Sequence, residues 1–254
     1  MELPITKELS SSAPIRVKVD GTALVFAPDA PIAVYRSDGG TWKAGLSPAP
    51  IGRKRAGLSG PIRDAFFEPL VFVYGTADPA ETRANREVAR AWARIKWGVD
   101  VRYPIIADTE LDESTAETHS LVLVGNSASN RVVRELEPEL PFRVAPGSIT
   151  AVGEGGSAVK EWKGKDLGVA FVYPNPKHKS RYVVVLEGTN ALATFRAIAL
   201  PELLPDFIVY DDRIGFARGQ IVLGTATPLA AGLFRSDWSF GKVDVPRAKI
   251  AQIE

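Results

Sequence analysis

Two hydrophobic rhythms divide the chain. Residues 15–46 alternate apolar and polar side chains, in "IRVKVDGTALVFAP" around an Asp-Gly turn and in "IAVYRSDGGTWKAG" around Asp38-Gly39-Gly40. A period of two marks strands with one buried face, and short Asp-Gly turns between such arms predict hairpins. From Phe67 onward the apolar residues come in unbroken runs: "PLVFVYG", "HSLVLVG", "LGVAFVYP", "RYVVVLEG" and "DFIVYD". Short runs bounded by Gly, Pro or Asp are expected of strands buried on both faces of a sheet. "VDVRYPIIADTEL" and "SITAVG" read as further strands.

Helix signals fall between these runs. Asp78 is placed as an N-cap, with Pro79 at the first helical position and Glu81 in the first turn. Val88, Trp92 and Ile95 recur at helical spacing, so a helix is predicted from Asp78 to Trp97. "SASNRVVRELEPEL" predicts a short helix stopped by proline, and "TNALATFRAIALPEL" a third. The alternation predicts an α/β fold: a mostly parallel, flavodoxin- or Rossmann-like sheet with helices on both faces, flanked by β-hairpin extensions. "VAFVYPNP" and "RYVVVLEG" are expected to pair antiparallel, because their joining turn is too short for a crossover helix. The expected organisation is a β-rich extension over 1–50, a Pro-, Gly- and Arg/Lys-rich linker over 51–66, an α/β sandwich over 67–212 and a second β-rich extension over 213–254.

Three strand ends carry candidate chemistry. Gly75-Thr76, Gly125-Asn126-Ser127 and Gly188-Thr189-Asn190 each follow a buried run and precede a predicted helix. If their strands are neighbours, the backbone N–H groups converge on a site for a small polar ligand, a carboxylate, phosphate or sugar hydroxyl. Asn126 and Ser127 would add side-chain hydrogen bonds. The same residue types are favoured in any strand-to-helix turn for backbone reasons. Neither G-x-G-x-x-G nor G-x-x-x-x-G-K-[ST] is present. Gly125-Asn126-Ser127-Ala128-Ser129 also approximates the G-x-S-x-G elbow of serine hydrolases, with Ser129 in place of the last glycine. That alternative needs Ser127 as nucleophile and His178, the only downstream histidine, as base. His178 sits in "YPNPKHKSRY", which reads as a solvated turn, and Ser127 or Ser129 equally suits a helix cap.

Composition narrows the classes. The 31 basic and 30 acidic residues leave a formal charge of +1, so no nucleic-acid partner is predicted. No apolar run approaches the ~18 residues of a membrane span. The start, "MELPITKELSSSAP", lacks the basic and apolar stretches of a signal peptide, so none is expected. There is no cysteine, which removes disulfides and thiolate chemistry and leaves the compartment unreadable. With only His119 and His178, a multi-histidine metal centre is not expected, and no cofactor is predicted. Asp108, Glu110, Asp112 and Glu113 in one connecting segment, and Asp211-Asp212 in another, are expected as solvated turns, although such a cluster can hold a divalent cation. "GRKRAG", Gly52 to Gly57, reads as a solvated linker or partner contact.

Two longer stretches are more specific. "KRAGLSGPIRDAFFEPLVFVYGT" and "VAFVYPNPKHKSRYVVVLEGT" resemble the carboxy-terminal, non-catalytic region of large bacterial prolyl-oligopeptidase-like (S9-type) α/β-hydrolases. "LVLVGNSASN" and "LFRSDW" resemble further elements of it, so the similarity runs from Trp42 to Trp238. In those proteins the esterase or peptidase module with its serine elbow lies upstream. No G-x-S-x-G occurs in this chain, and no catalytic residue is transferred to it. The resemblance implies an accessory domain, or a fragment separated from its enzyme, that assists substrate positioning or interdomain packing. It further implies a hydrolase catalytic domain as partner and a periplasmic or secreted parent protein.

Overall fold

Apolar alternation and apolar runs build two different kinds of sheet. The structure, a computed structural model, describes residues 2–3, 14–27, 32–37, 40–45, 52–55, 57–96, 100–201, 203–214 and 228–241. Residues 1–51 form one compact unit. In it Ile15–Val19 pairs antiparallel with Thr22–Phe26. The joining residues Asp20 and Gly21 both have positive φ (45° and 82°), which two-residue turns of the I′ type require. Ile32–Arg36 pairs antiparallel with Trp42–Ala44. Asp38 and Gly39 of the second expected turn lie outside the described residues. Phe26, Ile32 and Val34 form the buried centre of this unit, with Val17, Leu24 and Trp42 packed on it.

Residues 52–254 form the second unit, built on a seven-stranded sheet. Its strands are β1 (Leu70–Tyr74), β2 (Ile105–Ala107), β3 (Ser120–Val124), β4 (Gly168–Pro174), β5 (Tyr182–Gly188), β6 (Phe207–Tyr210) and β7 (Ala230–Gly232). The spatial order is β7-β6-β4-β5-β3-β1-β2. The β5–β3, β3–β1 and β1–β2 ladders are parallel. The β4–β5, β4–β6 and β6–β7 ladders are antiparallel. The sheet is therefore mixed rather than mostly parallel. The short turn 175–181 returns β4 directly onto β5, as expected, and β6 then adds to the free edge of β4. Every residue of β3 and β5 is buried, which explains their unbroken apolar runs.

Helix α1 (Pro79–Trp92) begins as its sequence predicts, with the Asp78 side chain accepting from Ala80 N. It stops at Trp92 rather than Trp97. Arg94–Lys96 instead pairs with Asp100–Arg102, setting the β-branched Ile95 opposite Val101, a pairing that suits strand better than helix. Val88 still faces the core, and Trp92 Nε1 donates to Ala197 O at 2.9 Å, tying α1 to the segment after β5. The remaining helices are short: α2 (Glu113–Thr118), α3 (Arg131–Leu136) and α4 (Ala191–Phe195). Asp112, Asn130 and Asn190 cap them. Between α3 and β4, Phe142–Ala145, Ser148–Val152 and Ala158–Lys163 form a separate antiparallel sheet that includes the expected "SITAVG" strand. Phe142 joins Phe171, Phe207, Phe234 and Phe240 in an aromatic cluster of ring centroids 5.1–5.8 Å apart. Among the described residues no helix is long and apolar enough to cross a membrane.

Candidate functional site

The three glycine turns sit side by side, because β1, β3 and β5 are adjacent and parallel. Gly75 N donates to Val124 O and Gly125 N to Leu186 O, both at 2.9 Å, so the loops prolong the ladder. Many of the polar groups expected to face a ligand there bond to other protein groups instead. Asn85, fully buried on α1, donates to Gly75 O at 3.2 Å. Asn130 Nδ2 bridges Val73 O and Val124 O at 3.1 and 3.0 Å, while its Oδ1 caps α3. Asn126 Nδ2 donates to Gly188 O at 2.8 Å. Thr76 N and Oγ1 both donate to Asp108, and Ala77 N donates to Ser129 O. Thr189 Oγ1 accepts from Leu167 N and donates to Lys165 O. Asn190 caps α4 at Ala193 N and donates to Lys165 O and Asp166.

Close approach explains the glycines. A Cβ on Gly75 would lie 2.4 Å from Ser129 O, where only hydrogen fits. Glu81 reaches the same network at Asn126 Nδ2, 3.4 Å away, and burial raises its carboxyl above the usual range against the hydrogen bonds from Ser129 and Asn126. Gly125 has φ +107°, and an added Cβ would meet Asn85 Nδ2 and Ser129 Oγ at 2.7 Å. Gly125→Ala should therefore lower the unfolding free energy by about 1–3 kcal/mol in urea titration. An unchanged midpoint would mean that this network yields freely.

Ser127 and His178 are not brought together. Ser127 follows the carboxyl end of β3, and its carbonyl accepts from Arg134 Nε at 2.7 Å. His178 lies in the turn before β5, and Tyr182 N donates to Ser120 Oγ at 3.1 Å, which sets that turn at the amino end of β3. A strand of five residues, about 16 Å long, separates the two ends. The nucleophile–base pair is absent. Nor is His178 solvated, since its side chain is only 15% exposed. Asn175 Oδ1 accepts from Lys177 N and His178 N, curling the turn so that the imidazole reaches Glu113 of α2.

The acidic segment is only partly a solvated turn. The Asp108 side chain is fully buried at the end of β2. It accepts from Thr76 N at 3.1 Å and Arg131 N at 2.8 Å, and pairs with the Arg131 guanidinium at 3.2 Å. Glu110 accepts from Ala107 N at 2.7 Å, and Asp112 from Thr115 N at 2.7 Å, a bond that holds the Asp112 carboxyl below its ordinary range. Asp211 pairs with Arg213. Among the described residues no group of three His, Asp or Glu side chains is arranged to hold a metal ion. Lys54 of the basic cluster pairs with the buried Asp206 and is itself largely buried.

One feature escapes the sequence reading. Helices α2 and α3, strand β3 and the turn 175–181 enclose a cleft of about 180 Å³. Ala116, Leu121, Val132 and Leu136 supply its apolar lining. Asp112, Glu113, Glu135, Lys177 and His178 supply polar groups, with Lys177 paired to Glu135. These residues meet only on folding, and no local spacing announces them. His178, as the single histidine downstream of Ser127, was the available signal.

The segments behind the hydrolase resemblance also converge. Tyr182 OH accepts from Gly60 N at 2.9 Å and donates to Asp64 Oδ2 at 2.5 Å. Trp238 packs edge-on against Tyr173 and Tyr182 at 5.7 and 6.3 Å. Lys54 Nζ lies 4.9 Å from the Trp238 ring centroid. No protein-family model matches the chain, and no curated protein matches it.

Proposed function

We propose that the chain is a non-catalytic accessory domain of a bacterial prolyl-oligopeptidase- or esterase-like hydrolase, assisting substrate positioning or interdomain packing. One observation carries the reading. "GPIRDAFF", "YPNPKHKSRY" and "LFRSDW", far apart in sequence, fold into one partly buried cluster through Gly60, Asp64, Tyr173, Tyr182 and Trp238. Segments that resemble one family region and meet in one place are what a shared structural unit requires. The internally satisfied strand-end loops support the same reading, because they serve as a rigid scaffold. A flavodoxin- or Rossmann-like layering with helices on both faces belongs to this proposal.

A serine hydrolase acting through Ser127 and His178 is opposed by their placement at opposite ends of β3. A fluorophosphonate probe followed by mass spectrometry separates the two readings. The folded chain should remain unlabelled at Ser127, and stoichiometric labelling there would overturn the proposal. Added in trans to an S9-type catalytic domain that lacks this region, the chain should raise that domain's thermal midpoint or its peptide kcat/KM. No change in either quantity would count against an accessory role.

A further inference from the structure

The cleft beside α2 and α3 has the make-up of a ligand site. Its volume of about 180 Å³ corresponds to roughly six waters, enough for a short branched alkyl group. The floor suits such a group, because Ala116, Leu121, Val132 and Leu136 present only hydrocarbon. The charge around it is unbalanced. Asp108, Asp112, Glu113 and Glu135 face two permanent cations, Arg131 and Lys177, and those cations are already paired to Asp108 and Glu135. Among the described residues Asp112 and Glu113 have no cationic partner of that kind.

His178 sharpens the picture. Its Nε2 is buried and lies 3.3 Å from Glu113 Oε1, yet the two make no directed hydrogen bond. Where Nε2 carries no proton, it and the carboxylate oxygen are two acceptors that one N–H donor can serve together. His178 Nε2 is sealed from water whereas the Glu113 side chain is exposed, so the gain from a donor that enters falls on Nε2. An alkyl body on the floor would carry its donor to this place.

We propose that the cleft binds a primary ammonium on a short apolar body, the alkyl part against Ala116 and Leu121 and the ammonium donating to Glu113, Asp112 and His178 Nε2. The ammonium comes either from a free alkylamine or from the amino-terminal residue of a peptide. The site stands apart from the accessory-domain reading and does not depend on it.

Titration followed by amide and imidazole NMR tests the site, with isopentylamine as probe and 4-methylpentanoate as its anionic counterpart. Isopentylamine should shift the Ala116, Leu121 and His178 resonances saturably, with Kd on the order of 1 mM, and the carboxylate should bind about tenfold or more weakly. Glu113 is exposed at the start of α2, so Glu113→Gln should weaken the amine about tenfold while leaving the thermal midpoint unchanged. Ala116→Leu should abolish binding by filling the floor. Leu-Gly-Gly and its N-acetyl form separate the sources: binding of the free peptide alone points to a peptide amino terminus, and binding of isopentylamine alone to a free amine. Equal binding of amine and carboxylate, shifts that map elsewhere, or no saturation up to about 50 mM would overturn the proposal.

Discussion

Glu187→Gln should gain stability relative to the wild-type protein as pH rises above the ordinary glutamate value of 4.5. Glu187 lies in β5, the most enclosed strand of the sheet, and is only 2% exposed. Among the described residues its Oε2 has no hydrogen-bond partner. Burial raises the carboxyl well above its usual range, repulsion from Glu137 adds to this, and Arg143 opposes it. Arg143 offers limited relief, because its NH1 and NH2 groups donate to the carbonyls of Leu140, Phe142 and Pro138. Between the unfolded value and the raised folded one, the folded protein keeps a proton that the unfolded chain has released. The unfolded state then binds fewer protons, so the unfolding free energy falls with pH, by up to about 1.4 kcal/mol per pH unit for this one group. Its contribution is whole below 4.5 and is lost as pH climbs through the folded value. Glutamine keeps the shape and cannot ionise. Urea unfolding from about pH 5 to pH 8 should show the difference between variant and wild type moving in the variant's favour. A constant difference would mean that Glu187 titrates alike folded and unfolded.

The same residue shows what the sequence makes legible. Glu187 closes the run "RYVVVLEG", and the run alone places it in a strand buried on both faces. That the carboxyl has Glu137 and Arg143, from the segment after α3, as its charged neighbours is nowhere written in the run. Strand identity was readable wherever apolar runs were continuous. Strand direction was readable only where a short turn joins β4 to β5, since elsewhere a run of Val and Leu reads the same in parallel and antiparallel ladders. The end of α1 was hidden because Ile95 fits a helical stripe as well as a strand pair.

The candidate site divides similarly. The positions of the glycine turns were visible from strand ends followed by helices, while their alignment on one edge depended on a strand order that only the fold supplies. Their occupants were not visible. Asn85 sits between Ala84 and Arg86 on a charged helix, with nothing local to say that its amide turns inward to Gly75 O. His178 and Lys54 sit among prolines, lysines and arginines, composition that marks a solvated turn, yet long-range partners bury both. Local pattern reports what a residue can do. Only the packed partners decide what it does.

Lys54 yields the largest expected loss. Lys54→Met should lower the unfolding free energy by about 3–5 kcal/mol, the usual consequence of stripping one partner from a buried ion pair. Asp206 precedes β6 with its side chain fully buried. Its Oδ2 accepts from Phe234 N at 2.8 Å and from the Lys54 ammonium, while Oδ1 has no partner. Gly60 packs so closely that a Cβ there would lie 2.1 Å from Oδ1, so water has no room on that side. Burial already raises the Asp206 carboxyl above its ordinary 3.8, and Lys54 is the main force holding it down. A group raised in this way contributes stability that is present below 3.8 and lost as pH rises through its folded value. Removing the ammonium raises that value further, so the variant's deficit should widen as pH increases. Lys54→Met combined with Asp206→Asn should recover most of the loss, since the neutral amide needs no counter-charge. Urea unfolding of the two variants at two pH values decides the matter. Equal losses in both would assign the effect to the Lys54 stem and its stacking on Trp238 rather than to the charge left behind.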